Sequence, residues 1–256
     1  MEIKEISISS VSSYINQINK VQDAWDVHHA DIWFRGIASR DYELVPGIIW
    51  RNLSESELIQ DFMLYYEAYI EKSIDDPWSL YALMQHYGLP TRLLDWTKSP
   101  LVALYFALEE DGNRKPKNNC RLVYMMSPLV LNEKAVKNKY IFNVSSDHGY
   151  EFDNYLPSVI KNRGDLPEKP LAVYIPNNNR RILSQQGAFT VHGTDKRPID
   201  HFFIENDIDK IIKFVIKEQD RDKLRSELFA LGYKEDDIYQ DLNSLSKRII
   251  REWTDS

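Results

Sequence analysis

Apolar and polar positions follow two different periods along this chain. Apolar residues recur every three or four positions in 9–27, 54–72, 77–87, 221–231 and 244–253, which predicts amphipathic helices. Short apolar runs or alternating patterns at 32–36, 92–96, 121–126, 171–175, 188–192 and 208–216 predict strands, the last of them closing the sheet. Because helices and short strands alternate irregularly, we expect an α+β fold in which helices surround a mixed or antiparallel sheet. The pattern is weakest in 127–170, where helix-like pieces lie around 129–137 and 152–162.

The stretch 85–107 carries the densest local signals. Gly88 favours a left-handed helix end, and Pro90 prevents the helix from restarting. Thr97 or Ser99, with Pro100 after them, then predicts the capped start of another helix. The stretch is therefore predicted to be a helix, a tight turn, a strand and a capped helix.

One further helix start is predicted upstream. Ser54 with Glu57 forms the pattern of a capping box, so a helix should begin there. The aromatic residues of helix 54–72 follow its apolar period, and we expect them to belong to the core.

Composition indicates one globular domain over residues 1–256, with an N-terminal helix and a helical C-terminal end. A chain of 256 residues with 43% hydrophobic residues has enough apolar surface for one sizeable core. The net charge of −7 argues against broad binding to nucleic acid, so an anionic ligand would need a local positive site.

Location and metal binding follow from what the chain lacks. No apolar run approaches the ~18 residues of a membrane span, and the first residues are not the basic and then apolar start of a secretory signal. We expect a cytoplasmic protein without membrane contact. The single cysteine, Cys120, excludes internal disulfides and multi-cysteine zinc sites, and we expect no metal.

Several common catalytic patterns are also missing. The sequence has no Gly-x-Gly-x-x-Gly fingerprint and no Gly-x-x-x-x-Gly-Lys-Ser/Thr phosphate loop. It has no His-Glu-x-x-His and no Gly-x-Ser-x-Gly either. The sequence therefore does not support a classical dinucleotide-binding fold, a P-loop enzyme, a zinc protease or a serine hydrolase.

Polar residues gather at the ends of the predicted strands and helices. Arg35 and Gly36 end the strand 32–36, where the guanidinium is directed at a partner and the glycine admits a close backbone or ligand. That partner is either a ligand or a carboxylate such as Asp95 in a structural ion pair. Gln85 and His86 end the helix 77–87, and His86 is either a ligand contact or a buried histidine with a backbone hydrogen bond.

Two of these segments resemble the FRG-domain family, which is named for its aromatic-Arg-Gly motif. The resemblance rests on Trp33 to Gly36 and on the stretch 85–107, continues at Arg181 to Thr190, and covers most of the chain. The order of the motifs is also similar to that of mono-ADP-ribosyltransferases, and it implies nicotinamide adenine dinucleotide (NAD) as the substrate.

The transferase resemblance assigns roles to individual residues. It implies that Arg35 holds the pyrophosphate and that the polar residues of the central stretch line the nicotinamide-ribose side. The late motif presents Gln185 and Gln186 where the resemblance asks for a glutamate. Asp95 or Glu205 would then have to supply the carboxylate, or the protein is not a competent transferase. The residues expected to bind NAD are Arg35, Gly36, Gln85, His86, Thr91, Arg92, Thr97, Ser99 and Arg181, and those expected to act in catalysis are Asp95, Gln185 and Glu205.

The resulting hypothesis is an NAD-dependent mono-ADP-ribosyltransferase or NAD glycohydrolase of a bacterial stress or anti-phage system. Its partner would be a nucleotide-like small molecule, and the acceptor, protein or nucleic acid, stays open. The alternative is a non-enzymatic sensor that binds a nucleotide or phosphorylated ligand through Arg35, Arg92 and Arg181. Binding to nucleic acid is a weaker third interpretation, because the chain is acidic.

Overall fold

A single mixed β-sheet organises the molecule. The structure is a computed structural model that describes residues 2–28, 31–109, 120–147, 152–162, 164–176, 183–204 and 206–254. The strands in these ranges are β1 Lys4–Ile8, β2 Trp33–Ile37, β3 Leu93–Thr97, β4 Cys120–Met126, β5 Phe142–Asn143, β6 Leu171–Tyr174, β7 Gly187–Val191 and β8 Ile211–Lys217. Their order in the sheet is β1-β8-β4-β2-β3-β7-β6-β5. The predicted α+β class, with a mixed sheet and helices around it, is confirmed.

Helices connect these strands. The α-helices are α1 Val11–Trp25, α2 Gly47–Trp50, α3 Glu55–Tyr65, α4 Pro77–His86, α5 Pro100–Leu108, α6 Pro128–Val136, α7 His201–Ile204, α8 Arg221–Ala230, α9 Glu235–Tyr239 and α10 Leu242–Thr254. Short 3₁₀-helices lie at Tyr66–Tyr69, Phe152–Tyr155, Ile208–Lys210 and Glu218–Asp220. No helix in the described ranges is both long enough and apolar enough to cross a membrane.

Both faces of the sheet are covered. Val123 and Met125 of β4 join an apolar cluster with α1, α5 and α8, whereas Leu122 and Tyr124 join a second cluster on the other face with residues of α6 and α7. A third cluster lies around α4 and the strands β6 and β7. Because successive side chains of a strand point to opposite faces, the central strands read as nearly continuous apolar runs.

The local predictions for the stretch 85–107 are confirmed. Gly88 has φ of +87° directly after α4, and Ser99 accepts a hydrogen bond from the backbone N–H of Val102 at the start of α5. Between them, β3 pairs with β7 along its whole length. Its pairing with β2 is much shorter, because the register holds a single pair, Phe34 with Thr97. The two central strands therefore separate immediately after that pair.

Three sequence predictions need correction. Strand β1 was not predicted, and β8 does not close the sheet, because β8 lies between β1 and β4. The Ser54–Glu57 capping box does not form, since the Ser54 side chain accepts no capping hydrogen bond at the start of α3. The aromatic residues of this region are only partly core residues, because Tyr65 and Tyr69 are exposed while Tyr66 is buried.

The last helix, α10, is attached through its polar face. Arg251 bonds both carboxylate oxygens of Glu235 in α9, at 2.7 and 3.0 Å, and Arg248 bonds Asp236 at 2.6 Å. Ile250 and Trp253 lie on the opposite side of the helix and are exposed. The amphipathic character predicted for this helix therefore does not produce a buried apolar face.

Candidate functional site

A pocket of about 310 Å³ opens where β2 and β3 separate. Its floor comes from the two strands, and its walls come from α4, α5 and the start of β7. The lining residues are Phe34, Arg35, Gly36, Ala82, Gln85, His86, Asp95, Trp96, Thr97, Phe106, Gln185, Gly187, Ala188 and Phe189. The pocket thus brings together residues of the aromatic-Arg-Gly segment 33–36, of the stretch 85–107 and of the segment that begins at Gln185.

Arg35 supplies the positive charge of the pocket. Its Nη1 donates to the backbone carbonyl of Asp95 at 2.5 Å, across the gap between the two strands. Within the described ranges this is the only hydrogen bond of the guanidinium, and Arg35 forms no ion pair with a carboxylate there. Burial lowers the pKa of Arg35 and the charge of Asp95 raises it, but an arginine stays protonated in proteins. Most of its five N–H donors are therefore available to an anion.

The carboxylate of Asp95 is held by a chain of hydrogen bonds. The Leu93 backbone N–H donates to Thr91 Oγ1 at 3.1 Å, and that hydroxyl donates to Gln85 Oε1 at 2.7 Å. Gln85 Nε2 then donates to Asp95 Oδ2 at 2.9 Å. Because Thr91 is fully buried, its hydroxyl fixes which end of the Gln85 amide faces the carboxylate. Thr91 thus supports the pocket from below and does not line it.

Aromatic rings form much of the remaining wall. Phe106 reaches the pocket from α5, and its ring lies 6.1 Å from that of Tyr239 in α9. Trp96 borders the pocket, but its ring packs in the second core cluster, where its Nε1 donates to buried Thr190 at 3.1 Å. His86 lines the opposite side, edge-on to the exposed ring of Tyr87. Flat apolar surfaces next to a cation suit a ligand that carries both a ring and an anionic group.

Gln185 is fixed between the pocket and the C-terminal helices. Thr97 Oγ1 donates to its backbone carbonyl at 2.6 Å. Its side-chain Nε2 donates to the carbonyl of Ile238 in α9 at 3.1 Å, and Ser184 Oγ donates to the same oxygen at 3.3 Å. The position of this glutamine therefore depends on α9, which packs behind it.

Other predicted site residues lie elsewhere. Arg92 is buried outside the pocket, where its Nε pairs with Glu55 at 2.7 Å and its Nη1 donates to the carbonyl of His192 at 2.8 Å. Its Nη2 donates to the carbonyl of Tyr155, so the guanidinium ties several segments together. Ser99 caps α5 and does not line the pocket. Arg181 and Glu205 lie outside the described residues.

The glycine of the motif faces α5. A Cβ built on Gly36 would lie 1.9 Å from the carbonyl oxygen of Ala103 and 2.6 Å from the backbone nitrogen of Ala107. The close backbone approach predicted for this glycine is therefore the packing of a helix on a strand. Gly36 also borders the pocket.

The aromatic part of the site was not predicted from the sequence. Phe34, Trp96, Phe106 and Phe189 line the pocket but had been assigned to the core or left without a role. A partial signal existed for Phe106, which lies three residues after Ala103, because residues three apart share one side of a helix. The contact of Ala103 with Gly36 places that side of α5 on β2.

Comparison with known proteins gives one match. Residues 30–116 match the family model of the FRG domain, which confirms that resemblance over this part of the chain. The matched range includes Arg35, Gln85, Asp95 and Phe106, but the pocket residues from Gln185 to Phe189 lie outside it. No curated protein and no solved structure matches the chain.

Proposed function

We propose that this chain, which contains an FRG domain, binds NAD in the pocket and breaks the bond between nicotinamide and ribose, as a mono-ADP-ribosyltransferase or an NAD glycohydrolase. One observation carries the proposal: Arg35 and Asp95, a cation and a carboxylate, line the same pocket between β2 and β3. Phosphate recognition needs such a cation, and cleavage of a glycosidic bond needs a negative charge near the ribose.

The donors of Arg35 suit the pyrophosphate. A guanidinium forms paired hydrogen bonds with phosphate oxygens, and a single one of its donors is engaged by the Asp95 carbonyl among the described residues. The ring of Phe106 in the pocket wall suits a planar ring such as nicotinamide. The pocket volume lies at the lower end of the ~300–1,000 Å³ range of ligand pockets, so the rest of a dinucleotide would extend beyond it.

Asp95 has the charge that the reaction requires. When the bond from ribose C1′ to the nicotinamide nitrogen breaks, the electron pair leaves with nicotinamide, which becomes neutral, and positive charge develops on the ribose. A carboxylate near C1′ stabilises that charge, and it accepts the proton of the water or acceptor hydroxyl that attacks C1′. Gln85 fixes the orientation of this carboxylate, which limits the reorganisation needed during the reaction.

The experiment is incubation of the purified protein with NAD, with nicotinamide release followed by mass spectrometry. Asp95→Asn should lower kcat at least ~100-fold, because the developing charge loses its partner. Arg35→Ala should chiefly raise KM, because phosphate contacts act on ground state and transition state alike. Arg40→Ala, which removes an exposed arginine paired with Glu5, is the matched control and should change neither constant. Undiminished release by Asp95→Asn would rule out this mechanism.

One observation favours a second candidate, a binding module without turnover. The late segment presents the neutral amide of Gln185, which stabilises a developing positive charge much less than a carboxylate would. In that case NAD or ADP should raise the melting temperature of the wild type but not of Arg35→Ala, and no nicotinamide should appear. Asp95→Asn should keep the ligand-dependent rise under both candidates, so nicotinamide release by the wild type is the measurement that separates them.

The cellular setting that suits either candidate is a bacterial stress or anti-phage response. The acceptor of a transfer reaction would be a protein or a nucleic acid. This part of the proposal rests on the family resemblance alone.

A further inference from the structure

The outer side of α3 and of the 3₁₀-helix after it leaves large apolar side chains in solvent. Leu64 is 72% exposed, Tyr65 is 67% exposed and Tyr69 is 85% exposed. On the inner side, Ile59 and Tyr66 are buried. Exposed aromatic residues that lie next to one another along a surface commonly mark an interaction site.

The same surface carries a strong negative charge. Residues 54–76 contain seven carboxylates and one lysine, and five of these carboxylates are exposed, Glu57, Asp61, Glu67, Glu71 and Asp75. Glu57 and Asp61 share one side of α3 with Leu64 and Tyr65, because the carboxylates lie three, four, seven or eight residues before these two positions. We name the exposed residues Glu57, Asp61, Leu64, Tyr65, Glu67, Tyr69 and Glu71 the acidic aromatic face. Within the described part of the chain, none of its carboxylates forms an ion pair.

We propose that the acidic aromatic face binds a lysine- and arginine-rich segment of another protein. Charge complementarity selects this partner, since cationic side chains would meet carboxylates that are not paired with a cation of the described residues. The exposed rings of Tyr65 and Tyr69 add specificity, because the face of a tyrosine attracts a guanidinium or ammonium group. Nucleic acid would be repelled by the same carboxylates. This inference does not depend on the chemistry of the pocket.

The tyrosines provide the sharper test, because their removal leaves the net charge unchanged. The probe is a fluorescently labelled peptide of alternating arginine and serine, and binding is measured by fluorescence anisotropy. Tyr65→Ser combined with Tyr69→Ser should weaken binding about tenfold, the size expected for two exposed cation–π contacts. Both rings are mostly exposed, so the folded state should persist, and circular dichroism checks this. Unchanged affinity would overturn the proposal.

The charge test needs a matched control, because a chain with net charge −7 attracts any basic peptide. Glu57→Gln with Asp61→Asn should weaken binding about fivefold and reduce its dependence on salt. Asp23→Asn with Asp222→Asn removes the same charge from α1 and α8 and should leave the affinity nearly unchanged. Equal losses in both variants would show a general attraction and overturn the site.

Two further outcomes would show that the acidic aromatic face binds a different partner. Tighter binding of a single-stranded oligonucleotide than of the arginine peptide would contradict the proposed partner. A dimer detected by ultracentrifugation, and dissociated by the double tyrosine variant, would show that the face binds a second copy of the chain.

Discussion

Replacing Gly36 by alanine tests how the pocket is built. The added Cβ would lie 1.9 Å from the Ala103 carbonyl oxygen and 2.6 Å from the Ala107 nitrogen, and both are backbone atoms of α5. No side-chain rotation relieves these contacts, so α5 has to move away from β2 by more than an ångström. Overpacking of a core costs about 1–3 kcal/mol where side chains adjust. Because a whole helix must shift, we expect a loss of at least about 3 kcal/mol in the free energy of unfolding.

Gly47→Ala is the matched control. A Cβ at Gly47 would lie 3.5 Å from Pro90, an ordinary van der Waals distance, and the residue begins the short helix α2. Its free energy of unfolding should change by less than about 0.5 kcal/mol. Urea unfolding followed by tryptophan fluorescence measures both variants, since the chain has six tryptophans.

The result also bears on the site. Phe106 lies on α5, so a displaced helix should weaken any ligand-dependent rise in melting temperature in Gly36→Ala. Equal stability of the two alanine variants would refute the contact between Gly36 and α5 on which this reasoning rests.

Three further predictions concern stability. Arg92→Ala should lower the free energy of unfolding, measured in urea, by about 3–5 kcal/mol, because it leaves Glu55 without its buried partner. A loss below about 1 kcal/mol would contradict this. Burial lowers the pKa of His192 to about 4, whereas an unfolded histidine titrates near ~6.5. The free energy of unfolding should therefore fall by about 2 kcal/mol as the pH is lowered from 7 to 5. In His192→Gln, urea unfolding at the two pH values should show a fall that is smaller by this amount. Arg251→Ala should accelerate hydrogen exchange in 242–254 more than elsewhere, because it removes two hydrogen bonds to Glu235. An equal change in exchange rate along the whole chain would refute the attachment of α10 through its polar face.

Local rules were sufficient for the stretch 85–107. The left-handed φ of Gly88 and the cap formed by Ser99 depend on residues a few positions away, so the sequence contains the whole signal. The same holds for the end of α8, where Gly232 has φ of +87°.

Long-range pairing was not predictable in the same way. Residues Lys4–Ile8 alternate too weakly to indicate a strand, and they become β1 because they pair in parallel with β8, about 200 residues further along the chain.

The prediction from the aromatic period of 54–72 failed for a related reason. A period indicates which residues share a side of a helix, but the neighbouring elements decide which side is buried, and here Tyr66 faces inward while Tyr65 faces solvent.

The contacts within the site were also only partly predictable from the sequence. Arg35 and Asp95 were both expected near a ligand, yet the sequence left open whether they form an ion pair. In the structure Arg35 binds the backbone carbonyl of Asp95, and Gln85 binds the carboxylate. That arrangement follows from the separation of β2 and β3, which depends on the register of two strands sixty positions apart.

Three consecutive residues perform three tasks where the sheet divides. Phe34 forms the last registered pair between β2 and β3, opposite Thr97. Arg35 spans the gap that opens next and borders the pocket. Gly36 leaves the space that α5 occupies, and α5 brings Phe106 to the pocket wall. A change of Phe34 should therefore disturb strand pairing, a change of Arg35 should remove charge with little effect on the fold, and a change of Gly36 should displace a helix. The aromatic-Arg-Gly motif thus combines the residue that we propose binds the ligand with two residues that shape its surroundings.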